Sequence, residues 1–191
     1  DEMIDGDKPF DMTFTFTSDD ESYQAIEPMK ISGTVKDADT AEIFVSMGDA
    51  PIVKEGSSDF VTMSLTLSSK PTAAVDIAIS VTDETEIKAS KQSIRFNTNS
   101  WNSPLDVLVR PVDDEIVDGN IKSKVVLKMT SSDKNFNGKT QEIEYTTIDD
   151  DKAGFVIESN AASFPENSGS QVTMNVRLLS QPTFDAAADC Y

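Results

Sequence analysis

Apolar and polar residues alternate along most of the chain. Met12, Phe14 and Phe16 are separated by threonines, and residues 61–67 and 75–81 show the same alternation. A period of two gives a segment one apolar and one polar face, which is typical of half-buried antiparallel strands. Turn dipeptides such as Asp118-Gly119 separate these runs. The pattern therefore predicts an all-β protein whose strands have the spacing of a β-sandwich.

The central part of the chain contains seven predicted strands. They cover residues 41–46, 60–68, 73–81, 91–97, 104–112, 121–130 and 140–148. The best helical candidate, residues 83–91, is short and lies between strands, so we interpret it as a loop or a single turn. Trp101, just before the fifth strand, is predicted to close the edge of the core.

The sequence repeats at a domain-sized interval. Residues 1–7 return as 114–120, residues 37–41 as 149–153, and residues 61–63 as 172–174. The offsets of 113, 112 and 111 predict tandem repeats of about 112 residues. Residues 1–36 are then the C-terminal part of a preceding repeat, 37–148 a complete repeat, and 149–191 the N-terminal part of a following one. We expect the sequence to be part of a longer array; the alternative is that partial repeats complete one another by strand exchange between chains.

Composition excludes several classes of function. There are 34 acidic and 16 basic residues, a net charge of −18, and no histidine. A Ser-His-Asp triad or a His-ligated zinc site cannot be assembled from this chain alone. Strong negative charge argues against binding to nucleic acid or an anionic membrane, and no apolar run approaches the ~20 residues of a membrane helix. Cys190, the one cysteine, cannot form a disulfide within the chain.

Two acidic motifs fall at the predicted repeat boundaries. The first is Asp113, Asp114, Glu115 and Asp118, directly after a strand, and the second is residues 149–151. Such density of like charge is costly unless a cation neutralises it, and Ca²⁺ accepts six to eight oxygen ligands from several loops. The alternative is that these carboxylates only solvate turns. Recurrence of both motifs in the first unit, as Asp1, Glu2 and Asp5 and then Asp37 and Asp39, favours calcium.

A further stretch matches the EF-hand loop pattern by letter. Residues 133–138 with Glu144 have the required spacing. An EF-hand needs a helix on each side of the loop, whereas residues 125–129 and 142–145 alternate like strands. We interpret this stretch as a hairpin loop.

The order of the motifs resembles the Calx-β repeat. Residues 113–119, an alternating strand and then residues 148–151 carry the resemblance, which extends over essentially the whole chain; residues 96–104 and 132–138 are similar to the repeats of large bacterial surface arrays. The resemblance implies a seven-stranded immunoglobulin-like sandwich with calcium at the junction with the next domain. The implied ligands of the complete repeat are Glu55, Glu86, Asp113, Asp114, Glu115, Asp118, Asp149, Asp150 and Asp151. Those of the preceding repeat are Asp1, Glu2, Asp5, Asp37 and Asp39, and Glu166 is the counterpart of Glu55 in the following repeat.

We therefore expect a calcium-binding structural or adhesive segment of an extracellular, cell-surface, filament or matrix protein. Calcium at the junctions stiffens the array, and the expected partners are neighbouring repeats of the same chain, with surface or matrix proteins or glycans as further candidates. The alternative is a cytosolic calcium-sensing regulatory module of a membrane transporter, which needs affinities near ~10⁻⁷–10⁻⁵ M and not the ~10⁻⁴–10⁻³ M of extracellular modules. An enzyme such as a two-carboxylate glycosidase is not favoured, because every acidic cluster lies at a repeat junction.

Overall fold

The computed structural model describes residues 1–160, 163, 166, 169 and 171–187, and this part of the chain is all-β. The strands are β1 (Lys8–Phe14), β2 (Met29–Val35), β3 (Ile43–Met47), β4 (Ile52–Lys54), β5 (Val61–Leu67), β6 (Val75–Val81), β7 (Ile87–Ala89), β8 (Ser93–Phe96), β9 (Leu105–Pro111), β10 (Ile121–Ser131), β11 (Thr140–Ile148), β12 (Phe155–Ser159) and β13 (Met174–Leu178). One helical turn, α1 (Glu21–Gln24), lies between β1 and β2. No helix in these ranges is long and apolar enough to cross a membrane.

Two sheets enclose the core in the central part of the chain. One sheet has the strand order β4-β11-β10-β6-β8 and the other β3-β5-β9-β7. Met63, Leu65 and Val107 of the four-stranded sheet join Ile77 and Leu127 of the five-stranded sheet in one cluster, and all five are fully buried. Trp101 packs against the edge of this cluster, as predicted. The architecture is consistent with a β-sandwich.

The seven predicted strands are present, but the structure contains more strands than were predicted. All seven predictions agree with observed strands to within two residues, whereas the structure has nine strands between residues 37 and 148. The additional strands are β4 and β7, each of three residues, and β7 lies inside the segment 83–91 that was interpreted as a loop. Three residues are too few to show an alternating pattern, so the pairing partners β11 and β9 define these strands.

The EF-hand-like stretch is a hairpin loop, as predicted. It connects β10 to β11, which pair in antiparallel register. The Asp133 carboxylate accepts hydrogen bonds from the backbone N–H groups of Thr72 (2.8 Å) and Asn135 (2.9 Å). Asp133 is 5% exposed, and its oxygens therefore fasten the loop to the neighbouring segment.

Two separate two-stranded ribbons lie outside the two sheets, β1–β2 and β12–β13. Phe155 pairs with Leu178 as Ile43 pairs with Leu67, at positions 112 and 111 residues earlier. The registers follow the offsets found in the sequence, while the division into repeats stays a prediction.

The first ribbon shows the same correspondence through a cross-strand pair. Phe10 faces Gly33, where a Cβ would lie 2.6 Å from the end of the Phe10 ring. At the corresponding positions of β10 and β11, Ser123 faces Tyr145, so the aromatic ring is supplied by the other strand. A large and a small residue face each other both in the ribbon β1–β2 and in the strand pair β10–β11.

The apolar faces of the two ribbons are exposed, unlike the alternating runs of the central sheets. Met12 is 50% exposed and Val176 is 53% exposed. In the described residues no second sheet packs on them, so alternation predicted their strands but not their burial.

Candidate metal site at one end of the two sheets

Five strand ends bring four acidic loops to one end of the two sheets. β4 and β11 run parallel and both end there, and β9 also ends there. β10 is antiparallel to β11 and β7 is antiparallel to β9, so both begin at this end. The loops after β4, before β7, between β9 and β10, and after β11 therefore converge.

The parallel pairing of β4 with β11 places Glu55 beside the terminal acidic triplet. Ile148 pairs with Lys54, and the Glu55 N–H donates to the Ile148 carbonyl at 3.1 Å. Gly56 follows at φ +64°, and a Cβ there would lie 2.8 Å from Oδ2 of Asp150. A side chain at position 56 would therefore be strained by the backbone conformation and would require the Asp150 carboxylate to shift.

Three carboxylates come within ligand distance of a single ion. One oxygen each of Glu55, Asp149 and Asp151 lies within 4.8 Å of the other two. Glu55 is 2% exposed, and the two aspartates are half-buried. Because Ca–O distances are about 2.3–2.6 Å, oxygens up to about 5 Å apart can share one calcium ion.

Glu86 is a fourth acidic side chain, and it lies in the interior. Its carbonyl accepts a hydrogen bond from the Val112 N–H at 2.8 Å, which fixes the start of β7 against the end of β9. The side chain is 3% exposed. A buried ionised carboxylate is costly without a partner, so its placement here needs a compensating group.

Burial and mutual repulsion raise the pKa values of both buried glutamates. Burial is the largest cause of the rise of the Glu55 pKa to about 7, followed by the charges of Asp114 and Glu86. Burial also raises the pKa of Glu86, with the charges of Asp118 and Asp83 acting in the same direction. An added cation would favour ionised carboxylates here and reverse both effects.

The aspartates around them respond in two ways. The N–H groups of Gly119 and Asp151 donate to Asp149 at 2.7 and 2.8 Å and lower its pKa. Desolvation raises the pKa of Asp118, together with the charges of Asp114 and Asp149. Desolvation, followed by the charge of Asp149, likewise raises the pKa of Asp151. Asp149 is therefore anchored in its charged form among groups that resist ionisation.

The other candidates of this unit lie at different distances from the centre of the site. The Asp114 carboxylate accepts the Ile116 N–H at 2.7 Å and is half-buried, whereas Asp113 is exposed. Asp150 is exposed and lies 3.9 Å from Nζ of Lys54. The Glu115 side chain is also exposed. Its charge is not among those that raise the pKa values described above.

The candidates of the preceding unit form a similar but shallower arrangement. The N–H groups of Asp5 and Gly6 donate to Oδ2 of Asp37 at 2.9 and 2.6 Å, and the Asp39 N–H donates to its Oδ1 at 2.9 Å. Asp37 thus has the hydrogen-bonding pattern of Asp149, and these N–H groups lower its pKa, the Asp39 and Gly6 bonds most. Asp1 is exposed.

Two further candidates stand apart from any described cluster. Glu2 is exposed, and its backbone carbonyl accepts the Lys70 N–H at 2.6 Å. Glu166 is exposed as well, and most residues beside it lie outside the described part of the chain.

Two buried hydroxyls at this end were not predicted from the sequence. Ser123 of β10 and Thr147 of β11 are each 1% exposed. Within the described residues, five buried side-chain oxygens have no hydrogen-bond partner. They are Glu55 Oε2, Glu86 Oε2, Asp151 Oδ2, Ser123 Oγ and Thr147 Oγ1. The sequence could have identified them, because each hydroxyl occupies a position that the alternation of its strand assigns to the buried face.

Comparison with known proteins identifies no family for the chain. No protein-family model matches it, and no curated protein matches it. Among solved structures it is similar to WR4, a C. elegans MSP family member, at 8% identity and a TM-score of 0.37. That match covers 57% of this chain and 96% of the other.

Proposed function

We propose that the chain is a calcium-binding structural segment, with Ca²⁺ held where the acidic loops converge. The observation that carries this proposal is the buried carboxylate of Glu55, which has an unpartnered oxygen and lies within ligand distance of Asp149 and Asp151. Burying several like charges without a counter-charge is strongly unfavourable. No ion pair among the described residues includes any of these three carboxylates, so a bound cation is the compensating group that fits.

The donor set favours calcium over other divalent cations. All candidate ligands are oxygens, and they come from separate loops at unequal depths. Calcium tolerates irregular geometry and variable coordination number, whereas magnesium demands a near-octahedral shell and zinc favours nitrogen and sulfur.

A calcium ion at this position would couple the central sheets to the segment that follows. The loop carrying Asp113 to Asp118 contacts that segment, because the Gln181 N–H donates to the Glu115 carbonyl at 2.5 Å. On the other side, Ile4 packs against the core. The acidic loops thus lie where neighbouring segments meet, and their charges repel in the absence of an ion. Calcium binding stiffens these junctions.

These features support an array of Calx-β-like, immunoglobulin-like repeats in an extracellular surface, filament or matrix protein. Matching strand registers in the ribbons and the matching hydrogen bonds at Asp37 and Asp149 support the repeat. Low affinity suits an extracellular rod whose sites stay filled at millimolar calcium, and tight binding suits the cytosolic sensor.

Calcium titration of the full 191-residue chain by calorimetry, with melting curves in calcium and in chelator, tests the proposal. We expect heat of binding at millimolar calcium and a rise in Tm, since a ligand that binds only the folded state stabilises it. Asp151→Asn should weaken binding, while Asp76→Asn, which alters an exposed carboxylate paired with Arg95, should not. Micromolar binding would favour the cytosolic sensor. Superimposed melting curves with no heat would refute calcium binding.

A further inference from the structure

A second set of polar side chains is buried at the same end of the sheets as the outer triad of Glu55, Asp149 and Asp151. Glu86, Thr147 and Ser123 are 3%, 1% and 1% exposed, and each has a side-chain oxygen without a hydrogen-bond partner. The two hydroxyls are on adjacent strands of the five-stranded sheet. Glu86 approaches from the other sheet, immediately before β7.

The register of β10 against β11 brings the two hydroxyls onto one inward face. Ile121 pairs with Thr147 and Ser123 with Tyr145, so Ser123 and Thr147 are diagonal neighbours across β10 and β11. Both hydroxyls therefore face the interior between the two sheets, on neighbouring strands. The Thr147 side chain partly offsets the rise in the Glu86 pKa that burial causes, although Glu86 Oε2 and Thr147 Oγ1 both lack a hydrogen-bond partner of standard geometry.

A single water molecule can meet the hydrogen bonds of this arrangement but not its charge. When ionised, the Glu55 and Glu86 carboxylates can only accept hydrogen bonds, and a water donates two. The same water can accept from both hydroxyls, but the negative charge of the carboxylates would remain uncompensated. A cation coordinates carboxylate and hydroxyl oxygens together and supplies the missing positive charge.

We propose that Glu86, Thr147 and Ser123 form an inner cation position beneath the outer triad, with Glu55 between the two. The inference rests on the proposed calcium site and adds two hydroxyl ligands and a second bound ion. The inner ion is more dehydrated than the outer one, since its ligands are almost completely buried.

Removal of the hydroxyls tests the inner position in the full chain. Thr147→Val combined with Ser123→Ala should lower the stoichiometry of bound calcium by one ion while outer binding persists. In metal-free solution the variant should melt no lower than the wild type, because unsatisfied buried hydroxyls have been removed. Thr147→Ser keeps the hydroxyl and should retain both ions. Thr146→Val, on the opposite face of β11, is the control for the loss of a threonine hydroxyl.

The outcomes separate the two proposals. A wild-type chain that binds no calcium refutes the calcium site itself. A wild type that binds calcium, with unchanged stoichiometry and affinity in the double variant, refutes the inner position alone. A fall in Tm of the metal-free variant with no change in bound calcium likewise assigns the hydroxyls to packing.

Terbium luminescence keeps the question open to test even if the variant does not fold. Tyr145 is the cross-strand neighbour of Ser123, so Tb³⁺ in the inner position of the wild type should show tyrosine-sensitised emission. Decay rates in H₂O and D₂O should then resolve a class of ions with few coordinated waters. A single class of well-hydrated ions would overturn the inference.

Discussion

Replacing Glu55 by glutamine measures what the buried carboxylate costs when no metal is bound. Burial and neighbouring charges raise the pKa of Glu55 from 4.5 to about 7, and its side chain is 2% exposed. The folded chain therefore holds this proton more tightly than the unfolded chain does. Stability of the wild type falls as pH rises from about 4.5 to 7, and the loss is complete above that range.

The expected magnitude follows from the difference between the two pKa values. At about 1.4 kcal/mol per pH unit, ionisation of Glu55 should lower the stability of the metal-free wild type by roughly 3 kcal/mol at pH 8 and by under about 1 kcal/mol at pH 5. Glu55→Gln removes the titration and nearly conserves shape. In metal-free solution the variant should be more stable than the wild type at pH 8 and close to it at pH 5. In excess calcium the order should invert, because the wild type gains a ligand that the variant binds weakly.

Urea unfolding of both proteins at the two pH values, with and without calcium, provides the four comparisons. Glu86 and Asp118 also have raised pKa values and add to the slope of both proteins, so the difference between the proteins is the informative quantity. Glu142→Gln, an exposed carboxylate 2.7 Å from Lys124, serves as the control and should change stability by less than about 1 kcal/mol. Equal unfolding midpoints for wild type and Glu55→Gln at pH 8 without metal would refute the buried charge.

Two further substitutions probe the loops. Gly56→Ala places a side chain at φ +64° against Asp150, and it should lower the free energy of unfolding by about 1–2 kcal/mol and weaken calcium binding. Gly48→Ala, where the backbone has no positive φ and the space is open, should change neither. Equal calcium affinities of the two variants by calorimetry would contradict the role of Gly56. Asp133→Ala removes a carboxylate that accepts hydrogen bonds from two backbone N–H groups, one of them that of Thr72. The variant should lose about 1–3 kcal/mol of unfolding free energy in urea without a change in calcium affinity. Loss of one bound calcium ion would instead favour an EF-hand-like site.

The long strands could be predicted from the sequence because each carries its own signal. In β5 the alternation of Val61, Met63 and Leu65 with polar residues sets both the conformation and the buried face. β4 and β7 have no such signal, since three residues become a strand only when a partner supplies the ladder. The exposure of Met12 and its neighbours depends on what packs above them, which the local pattern does not encode.

The sequence identified acidic residues of the candidate site but did not predict which side chains are buried. The acidic motifs identified Asp149 and Asp151 as candidates, and the resemblance added Glu55; the structure brings these three together. Burial of Glu86 depends on the register of β7 against β9, and the inward hydroxyl of Thr147 becomes notable only once no partner is found for it. Both are properties of packing between sheets, and no local segment determines them.

The parallel pairing of β4 with β11 has a mechanical consequence. Tension that pulls β4 from its N-terminal side and β11 from its C-terminal side would slide the two strands lengthwise. The bonds between them, including Thr146 N to Pro51 O at 3.0 Å and Glu55 N to Ile148 O at 3.1 Å, would then bear load together and not break one at a time. Glu55 and Asp149 directly follow the C-terminal ends of these two strands. An ion bound by both carboxylates would therefore resist the same lengthwise sliding of the strands.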